Sequence, residues 1–158
     1  MSGSAMPPRM SRNRTALIGG LMVMLGPISL TAYTPAMPAL AAEFGASPAL
    51  LGATITFYFF GYCMAQLVAG PLSDGFGRRP VAIGFFALYS LGSLGCLLSA
   101  TVEQLILFRA LQGIGAAAGP AISRAIVRDQ FEGMAAVRLM NLMGMILSIG
   151  PAVSPTLG

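Results

Sequence analysis

The sequence predicts an all-α membrane protein whose backbone crosses the bilayer five times. Composition is the first reason: 56% of residues are hydrophobic, 9% are charged and the mean hydropathy is +0.79. A soluble domain carries roughly 25% charged residues to cover its water-facing surface. The second is a pair of charge-free runs, 44–73 and 80–102. They meet at Gly70-Pro71-Leu72-Ser73-Asp74-Gly75-Phe76-Gly77-Arg78-Arg79-Pro80, a reversal with no room for a domain. The third is charge placement. All arginines but one fall in the N-terminal tail, in the 74–79 hairpin or in 124–138, while the loops between carry Glu43 and Glu103 and no base. A span needs about 20 apolar residues and cytoplasmic loops collect arginine, so the N-terminus and the 74–79 hairpin are expected on the cytoplasmic side.

Each element then follows in order. Residues 1–14 are small and polar, with Pro7-Pro8 and Arg9, Arg12 and Arg14, and are expected to form a disordered cytoplasmic tail. The charge-free run 15–42 holds a first span near 16–37; its apolar part is too long for a cleaved signal peptide, so it is read as retained. Pro27, Pro35 and Pro38 should bend that helix and finally end it, leaving 38–49 as a loop. The second span is placed near 50–72. Gly75 and Gly77 suit the positive φ of a tight reversal, and Pro80 suits the first turn of a third span near 80–100. A turn at Ser99–Gln104 leads into the fourth span, near 103–123. A charged loop with Arg124, Arg128, Asp129, Glu132 and Arg138 precedes 20 uncharged residues, 139–158, enough for a fifth span. Five spans are too few to surround a solute on all sides. The chain is therefore read as the front portion of a larger transporter.

Several function classes are excluded at this stage. With no histidine and no cluster of acids and thiols, no metal site is expected, nor any cofactor. The net charge of +4 tracks the membrane and is no nucleic-acid signature. No nucleophile lies next to a base, so an enzyme is not expected. Cys63 and Cys96 sit in apolar runs and are read as buried packing residues rather than a disulfide.

The chemistry concentrates in a few places. Arg109 lies about 9 Å into the fourth span at 1.5 Å per residue. Such an arginine normally faces a cavity or a partner; the alternative is snorkelling to the interface. Gln112, Gly113, Gly115, Ala116, Ala117, Ala118 and Gly119 follow it as a polar and then very small face, which favours the cavity and lets another helix approach closely. Gly61 and Ala65 are read as helix-packing residues. Asp74 is placed just past the end of the second helix. Either Arg78 and Arg79 compensate it locally, or it caps another helix as a cytoplasmic latch. Gly150, Pro151 and Pro155 would make the fifth span kinked and closely approachable.

On these residues the chain resembles the major facilitator superfamily, and within it the twelve-span drug:proton antiporters of the bicyclomycin/chloramphenicol-resistance group. Gly70-x-Leu72-Ser73-Asp74-x-x-Gly77-Arg78-Arg79 is similar to the signature between the second and third spans. Arg109-Ala-Leu-Gln112-Gly113-Ile-Gly115-Ala116-Ala117 is similar to the fourth-span signature. Gly150-Pro151-Ala-Val-Ser-Pro155, Tyr33-Thr-Pro35-Ala-Met-Pro38 and Arg124-Ala-Ile-Val-Arg128-Asp129 add looser matches. The resemblance implies the first five helices of a six-helix N-terminal bundle, with a C-terminal bundle as partner, in the inner membrane. It implies small-molecule export against protons by alternating access, an uptake or facilitator carrier of the same fold and a truncated non-transporting protein being the other readings. Arg109, Gln112, Tyr33 and Thr31 would then serve transport and proton coupling. Gly70, Asp74, Gly77, Arg78 and Arg79 would form the cytoplasmic gating loop, and Gly150, Pro151 and Pro155 a conformational helix motif. The chain departs from the pattern at Gly75, where a base is usual, at Thr31, where an aspartate is frequent, and at Ser154-Pro155, where paired glycine is usual. Apart from Glu103, at the very start of the fourth, no carboxylate lies within a predicted span.

Overall fold

Apolar side chains dominate every long segment, and a backbone in a bilayer must satisfy its own hydrogen bonds, so the chain folds as helices. The computed structural model describes residues 11–153 as six α-helices: α1 (Arg12–Tyr33), α2 (Met37–Phe44), α3 (Pro48–Phe76), α4 (Arg78–Leu97), α5 (Val102–Gln130) and α6 (Gly133–Val153). Ser11, Ser47 and Thr101 cap α1, α3 and α5, each accepting the backbone N–H three residues on. Among the described residues four stretches are long and apolar enough to cross a membrane: Arg12–Phe44, Pro48–Phe76, Arg78–Leu97 and Val102–Gln130. The predicted fifth span begins inside α6, and residues 154–158 lie outside the described residues.

Helix α5 is the hub, packed against α3, α4 and α1, while α6 lies chiefly on α1. The reason is its small residues. A Cβ on Gly113 would run into the carbonyl of Tyr58 in α3; one on Gly115 would strike the backbone of Tyr89 in α4; one on Gly119 would strike the carbonyl of Met22 in α1. The approach is mutual, since Gly61 of α3 faces the carbonyl of Ala110 and Gly92 of α4 leaves only 2.6 Å between a built Cβ and the nitrogen of Gln112. Lipid is as apolar as leucine, so close packing of this kind must hold such helices together. Around it sit Met22, Ala65, Ala69, Val81, Phe85, Ala117, Ala118 and Ile122 as one core, and Val23, Val127, Leu139 and Met143 as a second joining α1, α5 and α6. Large apolar side chains such as Leu17, Phe60, Leu67, Leu91 and Leu107 point outward, as a lipid-facing surface requires.

Several boundaries differ from the sequence reading. Residues 12–14 belong to α1 rather than to the tail. The prolines do not end the first helix: Thr34–Ala36 tightens to a 3-10 turn and the chain continues as α2 to Phe44. Pro35 and Pro38 stand in the first turn of these new segments, where a missing N–H costs nothing. The actual terminator is Gly45, left-handed at φ 56°, whose N–H and that of Ala46 both donate to Ala41. Pro71 likewise fails to break α3, because it removes one hydrogen bond while holding φ near the helical value. Asp74 therefore lies inside the last turn of α3, and Gly75 is helical. The reversal is Gly77 alone, at φ 93°. Arg124, Arg128 and Asp129 are on α5 and Arg138 is on α6, leaving only Phe131 and Glu132 as connector. Both cysteines are free, but Cys63 is exposed rather than buried.

Candidate functional site

Two polar clusters interrupt the apolar bundle, one at each end. Twenty residues of α5 separate Arg109 from Asp129, about 30 Å along a helix, which is the thickness of a bilayer's hydrocarbon core.

The first cluster surrounds Arg109, which is 4% exposed. Its Nη1 donates to Gln112 Oε1 at 2.7 Å, one turn along α5. Its guanidinium lies over the ring of Tyr33, 3.5 Å from the centroid, and 5.8 Å from the centroid of the Tyr58 ring. Tyr33 reaches this position because α1 crosses α5 through Gly119 and ends beside the N-terminal half of α5. The Tyr33 hydroxyl is fixed in turn: it donates to Thr54 Oγ1 at 2.6 Å, because Thr54 spends its own proton on the Leu51 carbonyl. The Tyr58 hydroxyl donates to the Gly26 carbonyl. The Tyr89 hydroxyl donates to Ser29, whose proton goes to Leu25. These last bonds bracket Pro27, the proline inside α1, from α3 and α4. Among the described residues no carboxylate pairs with Arg109. It is a buried cation held by an amide oxygen and aromatic faces.

The second cluster is the α3–α4 hairpin. Arg78 forms an ion pair with Asp74 at 2.5 Å and clasps both oxygens of Asp129, at 2.8 Å from Nε and 3.3 Å from Nη2. Its Nη1 also donates to Ser73 Oγ, whose proton is committed to the Gly70 carbonyl. One guanidinium thus ties the end of α3, the start of α4 and the end of α5. Arg79 is exposed and, with Ile18, Met22, Ile83 and Phe86, lines a pocket of about 550 Å³ between α1, α4 and α5.

The structure thus brings Arg109, Gln112 and Tyr33 together, and separately Gly70, Asp74, Gly77 and Arg78. It does not bring Thr31 to Arg109: that hydroxyl donates to Ile28 in its own helix. Gly150 and Pro151 fall in the last turns of α6, and Pro155 lies outside the described residues. Sequence reasoning missed Asp129, taken for a loop charge. Reading helix onward from Arg124 until the next breaker, Gly133, could have found it. Ser93, Thr54, Tyr58 and Tyr89 were also missed, and nothing in their local sequence separates them from neighbours that merely bond their own helix.

Comparisons with known proteins identify the family. The family model described as Major Facilitator Superfamily matches residues 18–158. The uncharacterized MFS-type transporter YdgK of Bacillus subtilis (strain 168) is 38% identical over 153 residues, covering 96% of this chain and 38% of that protein. The multidrug resistance protein MdtL of Shigella flexneri serotype 5b (strain 8401) is 34% identical over 137 residues, covering 87% of this chain and 35% of its own length. MdtL of Escherichia coli (strain K12 / DH10B) matches to the same extent. This chain therefore spans little more than a third of the length of these curated relatives. A model match over most of the chain, together with a salt-bridged hairpin and a buried arginine on a small-residue helix, places it: the chain belongs to the Major Facilitator Superfamily.

Proposed function

We propose that the chain is the N-terminal portion of a proton-coupled secondary transporter that exports drugs or other small molecules by alternating access. Family members are transporters, not enzymes, and this one is a multi-pass membrane protein. The observation that carries the finer reading is Arg109: a guanidinium buried in the bundle, pinned by Gln112 and Tyr33, with no acid beside it among the described residues. A fixed cation in a low-dielectric site favours the ionised form of any carboxylate brought near it. A carboxylate from the substrate or from another helix that meets Arg109 in one conformation would release its proton there and regain it on leaving. That cycle couples protons to a conformational change. The multidrug names of the relatives support a drug-like substrate class, and the arginine pattern supports a cytoplasmic N-terminus in the inner membrane.

The hairpin supplies the second half of the mechanism. Asp74, Arg78 and Asp129 would hold the cytoplasmic ends of α3, α4 and α5 as a unit that moves rigidly, with Arg79 free to meet a facing surface. Ethidium efflux from energised cells expressing the complete gene tests the reading. Arg109→Ala is expected to abolish proton-coupled efflux while leaving membrane insertion intact. Normal efflux by that variant would remove the coupling role.

A further inference from the structure

Gln112 stands between Arg109 and helix α4, and an amide is useful to a guanidinium only if its oxygen faces it. An amide turned the other way would set N–H against N–H. What fixes that orientation is on the neighbouring helix. Ser93 lies in α4 beside Gly92, the point where the backbones of α4 and α5 come into contact. Its hydroxyl donates to the Tyr89 carbonyl at 2.9 Å, so its single proton is spent. Toward Gln112 it can only accept, and Gln112 Nε2 donates to it at 2.8 Å. The amide nitrogen being held there, Oε1 must point to Arg109.

We infer that Ser93 is a positioning residue for Arg109, acting through the Gln112 amide: a polar relay from the Tyr89 carbonyl through Ser93 and Gln112 that keeps the guanidinium over the Tyr33 ring. The inference rests on the reading of Arg109 as the working cation, but its test does not depend on transport. Ser90 and Ser99 make the same kind of bond to backbone carbonyls of α4, at Phe86 and Cys96. Ser93 adds to its own a bond to Gln112 of α5, next to the point where Gly92 brings the two backbones together. Gln112 Oε1 accepts from the guanidinium and Ser93 Oγ accepts from the same amide's nitrogen, so removing the Ser93 hydroxyl leaves that amide free to turn its oxygen away from Arg109.

The test is arginine side-chain NMR on the full chain in lipid nanodiscs, with the Arg109 resonances assigned by their loss in Arg109→Lys. Protons over the face of Tyr33 carry an upfield ring-current shift. Ser93→Ala is expected to abolish that shift and average the guanidinium signals, although no atom touching Arg109 has been removed. Ser93→Thr, which keeps the hydroxyl and can still bond the Tyr89 carbonyl, is expected to retain it. A shift unchanged in Ser93→Ala, or lost equally in Ser93→Thr, would overturn the inference. Failure of the efflux test at Arg109 would leave this result standing, so the two ideas fail separately.

Discussion

A guanidinium 4% exposed inside a membrane bundle has given up most of its hydration, which costs several kcal/mol unless partners replace the water. For Arg109 those partners are Gln112 and the faces of Tyr33 and Tyr58. Desolvated cation–π contacts are worth about 2 kcal/mol. Tyr33→Ala removes both this contact and the bond to Thr54 and is therefore expected to destabilise the chain by about 3 kcal/mol or more, read as a lower thermal midpoint in detergent. Tyr33→Phe keeps the ring and loses only the bond to Thr54, so its cost is expected near 1 kcal/mol. Equal losses for the two variants would mean that the hydroxyl, not the ring, matters. At this scale the sequence was informative about Arg109 because a single charge in an apolar span is conspicuous. It was silent about Ser93 and Thr54, whose importance arises only from what a different helix brings opposite them. Thr31 shows the converse: a position picked out by resemblance that turns to its own helix backbone.

Among the elements, α5 decides how the others pack. Gly113 faces the backbone of α3, so a methyl group there cannot be accommodated by a side-chain shift. Overpacking of this sort costs about 1–3 kcal/mol or more. Gly113→Ala is expected to lower the yield of folded protein strongly in size-exclusion profiles, while Gly84→Ala, in α4 with nothing within 4 Å, should be tolerated. Similar profiles for both would contradict the packing role of α5. The hairpin behaves differently. Gly77 sits at φ 93°, and Gly77→Ala is expected to cost roughly 1–3 kcal/mol of strain in the same thermal melts. Asp74→Asn weakens the Arg78 knot, and in the complete transporter it is expected to slow turnover more than it weakens substrate binding; a change in binding alone would contradict a gating role. The small-residue face of α5 was legible from Gly113 to Gly119. Helix ends were not, because Pro35, Pro38 and Pro71 occupy places where a missing N–H is tolerated or outweighed, and the true stops at Gly45 and Gly77 depend on their left-handed backbone.

The whole molecule is a bundle with a buried cation toward one end and an exposed ion-pair knot at the other, about a membrane's thickness apart. Fold class and membrane character were plain from hydropathy and arginine placement because both follow from one-dimensional patterns. The meeting of Asp129 with Arg78 and of Ser93 with Gln112 was not, since each joins residues from different helices. In the proposed function the two ends are united by coupling, with Arg109 at its centre. The most direct test loads inverted membrane vesicles carrying the complete gene product with a pH-sensitive dye and measures proton flux when ethidium is added. The expected result is ethidium-dependent proton movement in the wild type and none in Arg109→Ala at equal membrane abundance. Undiminished coupled flux in Arg109→Ala would contradict the claim that this arginine links protons to transport.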